Sequence, residues 1–431
     1  MTMKFYHDDY IRMSRRWERC RAAAAGEDEV HDGGEKWLPK LAMENDADYI
    51  KRLAMTPFYN ATWRTIIGLR GLMFRKDPVI ADDIEFTEFD HVELAKFCAL
   101  ESLIVGRVGL LVDYSDMPII ASYVAESILD WDSGQYVRLL EQKLDKGKER
   151  HRVLKLDDAG KYIQEVYEVS LATGKEDLIE QIYPMINGAK LDFIPFVIIG
   201  VDSLDWNAEI PPMIDLVNIN MHHYVMSSAY ERGCFLSGLP SMFIYGNRDD
   251  KKTIYIGSSV ANSFPDPETR AEILEVKGNF GALKENLETK ELQMASLGAK
   301  MLEPQKAGIE AEGTLERRMS GEESILADMA STLSNGLTVA YGYYLLWSGI
   351  DPDEFNYEIN REFLPTRLSA QEITAIMLAW QGGGISRETM FYNYKRAGIV
   401  EENTSFEDEQ GRLDTQNPFG NDANRTNNTI T

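Results

Sequence analysis

The apolar residues of this 431-residue chain change their spacing twice, and few architectures accommodate that. At first the spacing is three and four. Residues 7–25, HDDYIRMSRRWERCRAAAA, read as a helix, and residues 45–76 as helix interrupted by Pro57. In the latter, Phe58, Thr62, Ile66, Leu69 and Met73 share one face, and Asp77-Pro78 ends it. The pattern then turns to strand. LIVGRVGLLVDY (103–114) predicts one long buried strand, or a strand pair, near a glycine kink, and PIIASYV (118–124) another strand. YVRLLEQKL (136–144), HRVLKLD (151–157) and KYIQEVYEV (161–169) alternate across the turns DKGK and DDAGK, which predicts an antiparallel meander, and FIPFVIIG at 193–200 reads as a short, fully apolar strand at the end of the region. Helical spacing returns after Pro211-Pro212. Strands bracketed by helices at both ends predict an α+β chain.

In the second half, residues 212–232 predict a helix with Pro212 in its first turn and Ile214, Val217, Met221, Tyr224 and Val225 on one face. Short strands and turns follow to 278. A helix over 280–302, roughly 33 Å long, carries a heptad-like stripe: Phe280, Leu283, Leu287, Lys290, Met294, Leu297 and Met301. The stretch MLEPQKAGIEAEGTL (301–315) interrupts it. A capping box at Ser320 and Glu323 restarts a helix with Leu326, Met329, Leu333, Leu337, Tyr341 and Tyr344 on one face and Gly336 as a bend. FNYEINREF (355–363) reads as a strand, Ser369 and Glu372 as a capping box for a helix to Gln381, and Ser386 as the cap of a last helix to about Arg396. The polar, acidic tail from 401 is expected to be disordered.

No apolar run approaches the ~18 residues of a membrane span, and the N-terminus has no basic-then-apolar secretory pattern. Cys20, Cys98 and Cys234 fit no metal or disulfide spacing and read as reduced, buried thiols of a protein made in a cytosol. A net charge of −25 argues against tight grip on nucleic acid, itself a polyanion, but not against letting it slide past. No phosphate loop, dinucleotide fingerprint, HExxH, GxSxG or EF-hand loop is present, so no catalytic residue, cofactor or metal is assigned. His222 and His223 point about 100° apart on a helix and cannot clamp one metal from it alone. The glycines of GRVGLL (106–111) read as a strand bend. Asp113 and Asp116 read either as an acid pair or as the turn DYSDMP.

The order of elements resembles the portal proteins of tailed bacteriophages. So does a series of phrases along residues 5–400: FYNATWRTIIGLRGLMFRKDP (58–78), GRVGLLVDY (106–114), IPFVIIG (194–200), PPMIDLVNINMHHY (211–224), KELQMASLGAKML (290–302) and GGGISRETMFYNYKRAGI (382–399). The resemblance implies a virion protein at one capsid vertex, a ring of twelve copies around a channel for double-stranded DNA. Its partners would be the terminase large subunit, the head–tail adaptor, and the major capsid and scaffold proteins, with no membrane and no enzymatic role. It implies a wing over 1–211, stem helices over 212–232 and 280–302, a clip over 233–279, and a tunnel loop over 303–313. A long helix and wing return strand would occupy 314–368 and a crown 369–400. Lys284, Lys290 and Met294 would belong to the stem and channel, and Arg248, Lys251 and Lys252 to the motor- and adaptor-binding clip.

The residues agree with those roles in kind. Pro304 disfavours a continuous helix, and Gly308 and Gly313 free the backbone on both sides of Ile309. Glu303, Glu310 and Glu312 would repel phosphates that Lys306 touches weakly. The bland alternative is a connector between packed helices. Twelve copies would carry about −300 charges, which lubricates a polyanion. The basic run Arg12, Arg15, Arg16, Arg19 and Arg21 is either a solvated face or a contact for an acidic partner. Two other classes stay open on the sequence: a hydrolase or transferase with a site around the meander using Asp113 and Glu126, and an oligomeric structural phage protein without a channel.

Overall fold

A computed structural model describes residues 5–80, 89–114, 117–238, 241–245, 268, 270–274, 280–301, 324–361, 363, 370–396, 399–400 and 404–416. The chain divides into two compact units, Met1–Arg361 and Glu362–Thr431.

The first unit opens with helices α1 (Asp8–Ala25), α2 (Glu27–Asp32), α3 (Asp46–Met55) and α4 (Ala61–Met73). Asn45 caps α3 and Asn60 caps α4, each side-chain oxygen accepting from a backbone amide of the first turn. The face expected on α4 is the buried one, with Phe58, Thr62, Ile66, Leu69 and Met73 all in the core. After a short strand, β1 (Val79–Ile80), comes α5 (His91–Val105), capped by Asp90.

Helix α5 corrects the strand expected from 103. Its last turns are buried on every side, so its sequence shows no helical stripe and reads as a strand. Gly106 ends it in the left-handed region at φ 77°, its amide donating to the Ser102 carbonyl. The strand itself, β2, is Val108–Tyr114.

Strand β2 pairs antiparallel with β3 (Pro118–Val124). The meander follows as β4 (Ile128–Asp132), β5 (Tyr136–Leu144), β6 (Lys148–Leu156), β7 (Tyr162–Ser170) and β8 (Lys175–Ile182), five strands in chain order. Strands β4 and β8 extend it beyond the expected three. After the short pair β9 (Met185–Ile186) and β10 (Ala189–Lys190), strand β11 (Phe196–Ile199) does not close this sheet. It lies on the other side of β2, Phe196 opposite Leu111 and Ile199 opposite Val108. All four β11 residues are buried, as is the first part of β2, because helices cover them. The two sheets are tied by Arg152 of β6, which donates to Asp113 of β2 at 2.9 Å.

Helix α6 (Ile214–Gly238), strands β12 (Ser241–Tyr245) and β13 (Arg270–Leu274), helix α7 (Phe280–Lys300) and helix α8 (Ile325–Trp347) complete the unit with β14 (Tyr357–Glu358). Strand β14 pairs with β1, so the expected strand over 355–363 is two residues long. Ser324 caps α8, its Oγ accepting from the Ala327 amide. Ser320 and Glu323 lie outside the described residues. The expected α8 face is buried throughout, from Leu326 to Tyr344. Gly336 serves close packing against β11: a Cβ there would sit 2.5 Å from Ile199 Cγ1.

The second unit holds α9 (Ala370–Gln381), α10 (Arg387–Arg396) and α11 (Phe406–Gln416). Gly383, at φ 74°, turns the chain after α9, and Ser386 caps α10 as expected. Helix α11 replaces the disorder expected from 401 over Phe406–Gln416, and residues 417–431 lie outside the described residues. Ser405 caps it, Glu407, Asp408 and Glu409 favour its N-terminus, and Phe406 packs edge-on against Phe391 at 5.4 Å. Beside that contact a cavity of about 190 Å³ is lined by Met390, Phe391, Tyr394 and Val400.

Candidate functional site

The break at Pro57 leaves backbone groups without helical partners, and α6 supplies them. Asn220 Oδ1 accepts from the Thr62 amide at 3.1 Å and its hydroxyl at 2.9 Å, while Nδ2 donates to the Tyr59 carbonyl at 2.8 Å. Ser227 Oγ donates to the Pro57 carbonyl, and Ser228 Oγ accepts from Arg52. These polar residues are buried on the same side of α6 as Leu216, Val217, Met221 and Tyr224. That turns the buried face away from Val225, which is exposed, contrary to its expected place. Asn220 and Ser227, seven residues apart on an apolar stripe, are the sequence signal of this joint.

Arg52 belongs to the same joint. It donates to Glu44 through Nε at 2.8 Å and Nη2 at 2.7 Å, to the Pro39 carbonyl and to Ser228. Glu44 also accepts from the Leu41 amide and from Arg232 of α6. Both members of the pair are buried, the side chains 7% and 2% exposed. The Arg52 hydrogen bonds hold the Glu44 carboxyl down to about 2.

Helix α7 runs antiparallel beside α6. At one end Gly233 faces Phe280, whose ring occupies the space a Cβ at 233 would need. Further along, His223 Nε2 lies 3.4 Å from Glu291 Oε1. Beyond α6, Gly298 lies against Thr65 of α4. The two helices are joined at the far end through the antiparallel ladder β12–β13, Ser241 opposite Leu274 and Tyr245 opposite Arg270. The stripe expected on α7 is its inner face: Leu287, Met294 and Met301 are buried, and Phe280, Leu283, Lys290 and Leu297 half-buried. Glu291 and Gly298 flank that face, and the remaining described side chains are exposed, Leu292 to 73%.

At the base of this hairpin, the Met301 carbonyl accepts from the Leu326 amide at 3.1 Å. The chain therefore leaves α7 and re-enters α8 at one place. Glu303, Pro304, Lys306, Gly308, Ile309, Glu310, Glu312 and Gly313 fall in the segment between and lie outside the described residues, as do Arg248, Lys251 and Lys252. Of the stem candidates, Lys284 is exposed beside Glu288, Lys290 is half-buried, and Met294 is 1% exposed, packed inside its own chain.

The residues considered for catalysis are not brought together. Asp113 accepts from Arg152 and from Gln164 Nε2. Glu126 and Glu101 share Arg21, which donates to both carboxylates at 2.5–2.9 Å. Asp116 lies outside the described residues. Arg21 is thus an internal crosslink, and Arg19 donates to Asn218 of α6, so the basic run is neither wholly solvated nor wholly free. His222 is exposed and His223 buried, and burial lowers the His223 pKa. Among the described residues no group of His, Cys, Asp or Glu is placed to hold a metal, and no helix is long and apolar enough to cross a membrane. Cys20 and Cys98 are buried as expected, and Cys234, near the far end of α6, is exposed.

Residues 212–348 match a family described as a domain of unknown function, DUF4055. That span begins at the foot of α6 and ends with α8. No curated protein matches the sequence. Among solved structures, chains of gene transfer agent (GTA) particles match. One is from the neck of the native particle computed with C12 symmetry, at TM-score 0.39 and 11% identity, covering 81% of this chain and 93% of that one. A chain from the neck of the empty particle computed with C6 symmetry matches at TM-score 0.38 and 9% identity, covering 87% and 98%. A chain from the native virion matches at TM-score 0.38 and 11% identity, covering 85% and 97%.

Proposed function

We propose that this chain is a structural subunit of the neck of a phage-like particle, and specifically a portal: a ring of identical copies around a channel for double-stranded DNA. The observation that carries the reading is the hairpin. Helices α6 and α7 pair antiparallel, bear a small β ladder at the far end, and leave the outer side of α7 uncovered, Leu292 included. Apart from Leu292 that outer side is polar or small, so α7 is packed by its own chain on one side only and leaves the other open to a neighbour. In a closed ring that neighbour is the next copy, met through a different surface.

In this reading α6 and α7 are the stem and the β12–β13 end is the clip. The segment 303–313 is the tunnel loop, rooted where α7 and α8 meet. The terminase large subunit and a head–tail adaptor would dock at the clip, and capsid and scaffold proteins at the wing. The net charge of −25 per copy keeps the channel wall from gripping the duplex.

Native mass spectrometry and negative-stain imaging of the purified chain test the reading. A single ring species of about twelve copies with a hole near duplex width is expected. A monomer or dimer refutes the ring, and a ring without a passable hole refutes the channel. Deleting residues 304–312 should leave assembly intact and impair DNA packaging, and unimpaired packaging removes the tunnel-loop role.

A further inference from the structure

The five-stranded sheet has two unlike ends. At the β4 end, the His7 amide donates to the Leu129 carbonyl, and Tyr10 and Arg21 of α1 bond to Glu126 just before β4. Helix α1 therefore caps this end and turns Ile11, Arg12 and Arg15 outward, all exposed. At the other end β8 is an edge strand, and every residue of it but Glu176 is exposed. Asp177, Leu178, Ile179 and Glu180 stand out from it, Ile179 being 58% exposed. The two ends are four strand spacings apart, about 19 Å at ~4.8 Å each.

One end presents Ile11 and Arg15 beside the Arg12–Asp9 pair, the other Leu178, Ile179 and Glu180 beside the Lys175–Asp177 pair, and they sit on opposite ends of one sheet. We propose that the α1 face of one copy docks on the β8 edge of the next, a head-to-tail contact that repeats around the ring. The inference rests on the ring reading and names its interface. Charge supports it: copies carrying −25 each repel, so a contact between them needs local complementarity, and Arg15, exposed on α1, would meet Glu180, exposed on β8. The shape of the edge supports it as well. The register between β7 and β8 shifts at Val166/Tyr167, so Ile179 is an extra residue in β8. Such a bulge twists an edge away from strand addition. It also leaves Leu178 and Ile179 both exposed, a surface suited to a helix face.

Charge reversal tests the contact. Arg12→Glu with Arg15→Glu, and separately Asp177→Lys with Glu180→Lys, should each raise the concentration for half-assembly at least tenfold in native mass spectra. All four changes in one chain should restore assembly. Every site is exposed, and an unchanged far-UV CD spectrum checks the fold. In a Cys234→Ser background, Arg15→Cys with Ile179→Cys should give a ladder of disulfide-linked multimers that neither single cysteine gives. A wild-type ring indifferent to both reversals, or no ladder, overturns the interface and leaves the ring reading standing. A wild-type monomer overturns both.

Discussion

Replacing Arg52 by methionine should strand a buried carboxylate. The change keeps most of the side-chain volume and removes the bonds to Glu44, the Pro39 carbonyl and Ser228. Removing one member of a buried ion pair costs about 3–5 kcal/mol, because the other stays desolvated. The lower end applies here: Arg232 still reaches Glu44 at 3.2 Å and the Leu41 amide at 3.0 Å. With a urea slope of about 3 kcal/mol per molar, a loss of about 3 kcal/mol moves the midpoint of the Met1–Arg361 unit down by about 1 M. Urea titration followed by far-UV CD measures it. Adding Glu44→Gln should recover part of the loss, since the stranded group no longer carries charge. If the double variant is no more stable than Arg52→Met alone, the stranded-charge reasoning is wrong.

Other expectations are smaller or opposite in sign. Gly336→Ala forces a methyl against Ile199 and should destabilise by about 1–2 kcal/mol despite better helix propensity, read by the same titration. Ser324→Ala removes the α8 cap and should cost about 1 kcal/mol. Arg107 is 1% exposed; its Nη2 donates to the Trp206 carbonyl and its guanidinium lies over Trp131, but Nε and Nη1 have no partner among the described residues. Arg107→Met should therefore leave thermal stability unchanged or raise it, and a clear loss would show the charge to be compensated. His151 is buried, its Nε2 bonded to Glu149 and its Nδ1 facing the Arg138 guanidinium, so burial holds its pKa below 6.5. The unfolded chain takes up that proton first. The stability is whole above about pH 6.5 and lost as pH falls through the folded value. Between pH 7.5 and 5.5 wild type should lose more than His151→Gln, and equal losses would remove His151 from the account.

What the residues disclosed followed their surroundings. One-sided elements were legible: the stripes of α4, α7 and α8 and the alternation of β5 to β7 mark a wet face and a dry one. Elements dry all round were not, so α5 passed for strand, and β11 could not be assigned to its partner because a wholly apolar strand carries no register. Aliphatic spacing alone points Val225 inward, but the bonds of Asn220 to Thr62 and Tyr59 set the rotation of α6 and turn Val225 out. Helix α11 is hidden by its polarity: it is held by the Ser405 cap, the Phe391–Phe406 contact and the Arg387–Gln410 hydrogen bond. The basic run looked like one patch, yet only tertiary structure separates Arg21, which joins two carboxylates, from Arg12 and Arg15 outside.

The bond between the Met301 carbonyl and the Leu326 amide closes a gate in the chain's own path. The feet of α7 and α8 are thereby fixed side by side, and for any flexible connection the cost of closing it rises only logarithmically with length, about 0.6 kcal/mol per doubling. The contact between the two feet is made by backbone atoms, so it depends on no side chain of either residue.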